Sequence, residues 1–170
     1  MPEQPGLPEQ PAQSGGRDLV DVRLVGIPLA LQRRAAEHGD ELMREFRLIL
    51  ELHKVPDESA PARLLAVASE LQSDYGPFTE EQEAELAAAF EAGALILDLA
   101  YRVPPSVADA ARHLGSLLDE ADAFCRQERL LTLETPAELV AYRRWFLDEF
   151  IRQIAGEPPR AWSEQGTPPA

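Results

Sequence analysis

Residues 19–28 read LVDVRLVGIP, a β-prone run that ends in a proline, and the pattern after Pro28 is helical. Proline suits the first turn of a helix because its missing N–H has no helical acceptor there. The same order recurs at ILDLAYRVP, residues 96–104, and at LLTLETP, residues 130–136. The chain is therefore predicted to contain three units in which a strand leads through a proline into a long helix.

Two further helices are expected between the first and second units. One extends from about Pro61 to Ser73. The other has Thr79 as its N-cap, with Gln82 in the capping-box position, and it stops at Gly93.

These elements predict an α+β fold that is predominantly α-helical. About five amphipathic helices pack with a small sheet. The sheet has two strands, residues 19–27 and 96–103, or three strands if residues 130–134 join it.

Gly39 and Gly115 each lie eleven positions after the proline that opens their helix. This match leaves two readings open: a duplication of the 19–53 and 96–128 units, or the ordinary likeness of amphipathic helices, which we favour. Glycine inside a helix costs roughly 1 kcal/mol relative to alanine. Close backbone packing at both glycines would explain why they are present.

The length of 170 residues and an apolar fraction of 45% suit one domain with a sizeable core. We predict a single α-rich domain over residues 18–156. Residues 1–17 and 157–170 are rich in proline and polar residues, so we expect two disordered tails. Trp162 is the odd residue of the second tail; we favour a loose tryptophan over one that docks on the domain or on a partner.

The formal net charge of −14 disfavours binding to nucleic acid or to an anionic membrane surface. No apolar run approaches the roughly 18 residues that cross a membrane, and the N-terminus lacks the features of a secretory signal. Cys125 is the single cysteine, which excludes an internal disulfide. We therefore expect a cytoplasmic protein.

His38 lies on the apolar stripe of the first helix, together with Leu31, Leu42 and Phe46. A phosphoacceptor histidine must point to solvent, and in one class of kinase helices Asp-Glu-Leu follows it directly. Gly39 interrupts that order here. We predict that His38 is more than half buried and hydrogen-bonded, with phosphotransfer as the disfavoured alternative.

No Glu-x-x-His or His-x-x-x-His pair occurs in the chain, so neither a metal site nor a cofactor is predicted. Cys125 shares an apolar helical stripe with Leu118 and Ala121. A buried and inert thiol is therefore favoured over a nucleophile.

The last helical stretch, PAELVAYRRWFLDEFIRQIAG, has an unusual distribution of side chains on its wheel. Arg143 falls inside the apolar stripe, whereas Trp145 lies about 100° from Phe146 and outside the stripe. Tryptophan and arginine are enriched at binding hot spots. Tyr142, Arg143 and Trp145 are therefore our candidates for a partner-binding surface.

A structural explanation of the same helix is also open, and we favour it over the functional one. Trp145 would cover the edge of the sheet or be covered by Trp162. Arg143 would pair with a buried acid such as Asp98 or Asp119.

Three segments, VRLVGIPLALQRRAAEHGDELMREF, YRVPPSVADAARHLGSLLDEAD and LLTLETPAELVAYRRWFLDEFIRQI, resemble a family of small actinobacterial proteins. Its members tend to be encoded beside anti-sigma-factor-type ATP-binding serine kinases and STAS-domain antagonists. The resemblance covers roughly residues 19–156. It implies a setting of partner-switching regulation, but the family has no established catalytic motif, so no functional residue carries over.

We therefore expect a non-enzymatic cytoplasmic regulatory module that binds another protein, such as a regulatory kinase or a STAS-domain protein. The alternative is a sensor with an apolar pocket for a small molecule between helices and sheet. A phosphorelay role at His38 is third. A binding module should expose an apolar patch, a sensor should contain an apolar cavity, and a phosphorelay needs an exposed His38. A homo-oligomer is compatible with each of these functions.

Overall fold

A computed structural model of the chain describes residues 18–53, 58–127 and 134–162, without the side chain of His53. The elements are β1 (Val20–Pro28), α1 (Leu29–His53), α2 (Ala60–Tyr75), a 3-10 turn (Gly76–Phe78), α3 (Glu80–Glu91), β2 (Ile96–Val103), α4 (Val107–Gln127) and α5 (Ala137–Ile154). β1 and β2 form a two-stranded antiparallel sheet. The expected α+β, predominantly helical fold is confirmed.

The strand–proline–helix order is confirmed for the first two units. Pro28 ends β1 directly before α1, and the carbonyl of Pro104 accepts a hydrogen bond from the N–H of Val107 at the start of α4. Pro136 is the N-cap of α5. Residues 130–133, where a third strand was predicted, lie outside the described residues, and Glu134 has no strand conformation.

Thr79 is the N-cap residue of α3, as predicted, but the predicted capping box is wrong. The hydroxyl of Thr79 makes no capping bond and donates instead to the carbonyl of Gly76 at 3.0 Å. The side chain of Gln82 points away from the N-terminus of α3, and its amide donates to the carbonyl of Ala100 in β2 at 2.5 Å. The predicted stop at Gly93 is close to the end of α3 at Glu91, and Gly93 has the positive φ of 69° typical of a helix C-terminus.

Glutamine side chains cap both outer edges of the sheet at one cross-strand pair, Arg23 and Ala100. The Gln153 amide accepts from the N–H of Arg23 and donates to its carbonyl, both at 2.8 Å, as a neighbouring strand would. Gln82 caps Ala100 on the opposite edge, and its Oε1 is the one buried side-chain polar atom without a partner among the described residues. Each outer edge of the two-stranded sheet therefore has one residue that is hydrogen-bonded by a glutamine side chain.

The helices α1, α2, α4 and α5 form a ring in which α1 packs on α2, α2 on α4, α4 on α5, and α5 on α1. The core has two parts. One part lies between the sheet and α5 and includes Leu24, Leu99 and Trp145. The other lies between α1, α2 and α4 and includes Phe46, Leu64 and Leu117.

The two glycines that suggested close helix packing behave differently. A side chain on Gly39 would meet nothing within 4 Å among the described residues, so the expected close approach there is wrong. At Gly115 a Cβ would lie 3.5 Å from Leu147 Cδ1 on α5, an ordinary van der Waals distance. Packing therefore demands glycine at neither position.

Candidate functional site

His38 takes part in a hydrogen-bonded network that joins α1, the segment before α5, and α4. The hydroxyl of Thr135 donates to Asp122 Oδ1 at 2.6 Å and lies 3.0 Å from His38 Nε2. Because the single hydroxyl proton points to the carboxylate, His38 Nε2 must be the donor to Thr135. The side chain is mostly buried, so the predicted buried and hydrogen-bonded histidine is confirmed.

Arg143 completes this network from α5. Its guanidinium donates to Asp119 Oδ1 and Asp122 Oδ2, both at 2.6 Å, and only 14% of its side chain is exposed. Arg143 pairs with a buried acid as predicted, but that acid is Asp122; the predicted candidate Asp119 also pairs with Arg143, and its side chain is 49% exposed. The other candidate, Asp98, instead accepts from the N–H of Gly26 at 2.7 Å. Burial raises the pKa of Asp119, but the hydrogen bonds from Arg143 and Arg144 outweigh burial and bring that pKa below its usual value.

The polar network lacks the arrangement of an activated nucleophile. An activated hydroxyl donates its proton to an imidazole base, whereas Thr135 donates to a carboxylate already paired with Arg143. Cys125 nearby is fully buried, and burial, with Asp122 and Glu134, raises its pKa to about 11. The thiol is therefore protonated at neutral pH, as predicted for an inert cysteine.

Tyr142 and Trp145 are each only 2% exposed. Trp162 packs on both rings, with centroids 5.4 Å from Tyr142 and 5.5 Å from Trp145. The indole N–H of Trp145 donates to the carbonyl of Arg160 at 3.1 Å. The prediction of a loose Trp162 is therefore wrong. The premise that the Trp145 ring is left uncovered by its own domain is also wrong, because residues of the same chain cover the ring.

An apolar cleft of about 390 Å³ opens between α2, α4, α5 and the 3-10 turn. It separates the two parts of the core. Phe78 and Phe146 line it from the sheet side, and Met43, Leu114 and Leu118 line it from the other. We call it the apolar cleft below.

The polar lining of the apolar cleft is sparse and uncharged. Gln72, Tyr75 and Thr79 supply its polar side chains, and no charged residue of the described chain lines it. The Tyr75 hydroxyl donates to Ser106 Oγ at 3.1 Å. The cleft can therefore hold an apolar body and offer hydroxyl and amide groups to a neutral head group.

The sequence suggested an apolar pocket between helices and sheet only as part of the alternative function, and it did not predict which residues line the cleft. The stripes of α4 and α5 identify Leu114 and Phe146 as core residues, but periodicity gives only the direction in which a side chain points. Periodicity does not give the distance between facing helices, and that distance decides whether a cleft remains between them. Sequence reasoning also missed the docking of residues 157–162, although Gly156 after α5 was a visible sign of a chain reversal.

Comparison with models of protein families found no match, and searches of curated proteins and of solved structures returned no similar chain. The family resemblance of the sequence therefore stays a prediction. Across the described ranges, no helix has the length and apolar character needed to cross a membrane. Within the same ranges, His, Cys, Asp and Glu side chains form no group of three that could hold a metal ion.

Proposed function

We propose that the protein is a non-enzymatic module that binds a small, uncharged, apolar molecule in the apolar cleft. The observation that carries this proposal is a cleft of about 390 Å³ whose lining contains no charged side chain. Its volume lies in the range of roughly 300–1,000 Å³ typical of small-molecule sites. Charged residues make up 27% of the chain, so their absence from this lining favours a neutral ligand.

The ligand class follows from the cost of desolvation. An ionised group that enters an apolar site without a partner loses its hydration and gains no compensating bond. The net charge of −14 adds a further penalty for anions. A neutral alcohol or ketone places its chain against Leu114 and Phe146 and directs its polar end toward Tyr75.

The test compares 1-decanol with decanoate at pH 8, by the thermal shift and by calorimetric titration. We expect 1-decanol to raise the unfolding temperature with concentration and decanoate to bind at least tenfold more weakly. Ala110→Phe places a ring into the lining and should abolish binding of 1-decanol. Ser116→Phe, at an exposed position of the same helix, is the matched control. Equal binding to the two variants, or no binding to the wild type, contradicts the proposal.

The second candidate function is a cytoplasmic regulatory module that binds another protein, in the partner-switching setting that the sequence resemblance implies. The observation that favours it is a pair of adjacent apolar side chains at the start of β2: Leu95 is 83% exposed and Ile96 is 63% exposed. Apolar side chains exposed side by side are typical of contact surfaces.

Co-purification from the native host distinguishes this second function. A partner that binds at β2 should be lost with the Leu95→Ser, Ile96→Ser double variant. It should be retained with Leu48→Ser, which changes an exposed leucine on α1. Retention in all variants would remove β2 as the contact surface.

A further inference from the structure

Residues 157–162, EPPRAW, lie along α5 as a docked peptide, and we call them the C-terminal strap. The chain reverses at Gly156, whose φ is +91°. The N–H of Gly156 donates to the carbonyl of Gln153 and the N–H of Glu157 to that of Arg152, both at 3.0 Å. These two bonds form a Schellman motif, which turns the strap back along the helix that precedes it.

Arg160 is the polar anchor of the C-terminal strap. Its backbone N–H and its Nε donate to the two carboxylate oxygens of Glu149, each at 2.9 Å, and its guanidinium also pairs with Asp148. Glu149 has no exposed surface, and Arg152 donates to it from within α5. Glu149 is thus a buried carboxylate that accepts two of its hydrogen bonds from the strap.

Trp162 is the apolar anchor of the C-terminal strap. It meets the rings of Tyr142 and Trp145 edge-on, at interplanar angles of 75° and 67°. The Trp145 indole holds the strap backbone through the carbonyl of Arg160. Arginine in an acidic pair and tryptophan in an aromatic pair, two residues apart, are the features of a peptide-recognition site.

We propose that the groove of Tyr142, Trp145, Asp148 and Glu149 is a recognition site for an extended segment with arginine two residues before tryptophan. The C-terminal strap occupies it in this chain, and a partner protein with the same segment exchanges with the strap. Departure of the strap alone would remove two of the four hydrogen bonds to Glu149 and leave Arg152 as its remaining charged partner. Replacement by a segment that again supplies arginine restores the lost ion pair and its hydrogen bonds.

The experiment uses the full chain and a fluorescent EPPRAW peptide. In the Arg160→Ala, Trp162→Ala double variant the strap has lost both anchors while the groove is intact. We expect this variant to bind the peptide at least tenfold more tightly than the wild type, as measured by fluorescence anisotropy. A matched EPPAAA peptide should not bind, and adding Glu149→Gln should weaken binding of EPPRAW at least tenfold. Equal binding of the two peptides to the folded variant overturns the proposal.

A second measurement on the wild type does not depend on the variant. A short tether gives the strap a local concentration of roughly millimolar. Millimolar EPPRAW should therefore accelerate hydrogen exchange at the Arg160 amide, and EPPAAA should not. Unchanged exchange with both peptides overturns the proposal. A concentration-dependent dimer of the wild type that the double variant loses would make a second copy the occupant and overturn the assignment to a different protein.

Discussion

Glu149 is a carboxylate with no exposed surface in a chain whose other acids lie mostly at the surface. Burial raises its pKa, but donors from the Arg160 backbone, Arg160, Gln153 and Arg152 outweigh burial and bring the pKa below its usual value. Removing a charged donor from a buried carboxylate is strongly destabilising. One residue therefore couples α5, β1 through Gln153, and the C-terminal strap.

The depressed pKa of Glu149 makes stability depend on pH. Between the lowered folded pKa and the unfolded value of about 4.3, the unfolded chain binds more protons, so stability falls as the solution becomes more acidic. This contribution is fully present above pH about 4.3 and is lost below it. We expect Glu149→Gln to lower the free energy of unfolding at pH 7. Between pH 5 and 3 the variant should lose less of that free energy than the wild type does.

Urea unfolding across this pH range, followed by tryptophan fluorescence, measures the effect. Glu41→Gln is the control because Glu41 is exposed. An acid limb of Glu149→Gln that is as steep as that of the wild type and of Glu41→Gln would show that Glu149 does not carry the dependence.

The element that organises the molecule is α5, which packs on β1, α4 and α1. Successive residues of α5 differ in burial and in the acids with which they pair. Arg143 points inward to Asp122, whose side chain is 7% exposed, whereas Arg144 points outward and is 65% exposed. Adjacent arginines on one helix thus form a buried and an exposed ion pair.

We expect Arg143→Ala to lower the free energy of unfolding by about 3 kcal/mol, because Asp122 is left buried without its charged partner. Arg144→Ala should cost less than about 1 kcal/mol, since exposed ion pairs contribute little. Denaturant unfolding of the two variants under the same conditions measures the difference. Equal losses would contradict the distinction between a buried and an exposed pair.

The sequence was sufficient to predict features that depend on neighbouring residues, such as helix starts and the apolar face of a helix. Pro28 at the end of β1 and Pro104 directly after β2 predicted where α1 and α4 begin, and the apolar stripe that contains His38 predicted its burial. The sequence did not predict contacts between elements that are distant along the chain. The side chain of Gln82 matches a capping box by position, yet the approach of β2 gives it a backbone carbonyl instead.

At the scale of the whole molecule, the ring of α1, α2, α4 and α5 explains why the apolar cleft exists. Each helix packs on its two neighbours in the ring, and the core residues form one part beside the sheet and another between α1, α2 and α4. Side chains at the boundary, such as Leu114 and Phe146, are only partly buried. A ligand that fills the cleft would join the two parts of the core.

The glutamine caps on the sheet have a consequence for aggregation. A strand with free N–H and C=O groups is a template on which other chains add, and both strands of a two-stranded sheet are edges. On the β1 edge, Gln153 bonds both the N–H and the carbonyl of Arg23. On the β2 edge, Gln82 bonds only the carbonyl of Ala100, through its Nε2.

Gln153→Leu frees a backbone donor and an acceptor at once, whereas Gln82→Leu frees one acceptor. We expect light scattering at 37 °C to rise fastest for Gln153→Leu, more slowly for Gln82→Leu, and not at all for Gln127→Leu at an exposed position of α4. Identical scattering by the three variants would mean that the negative charge of the chain, and not the two amides, keeps it from forming fibrils.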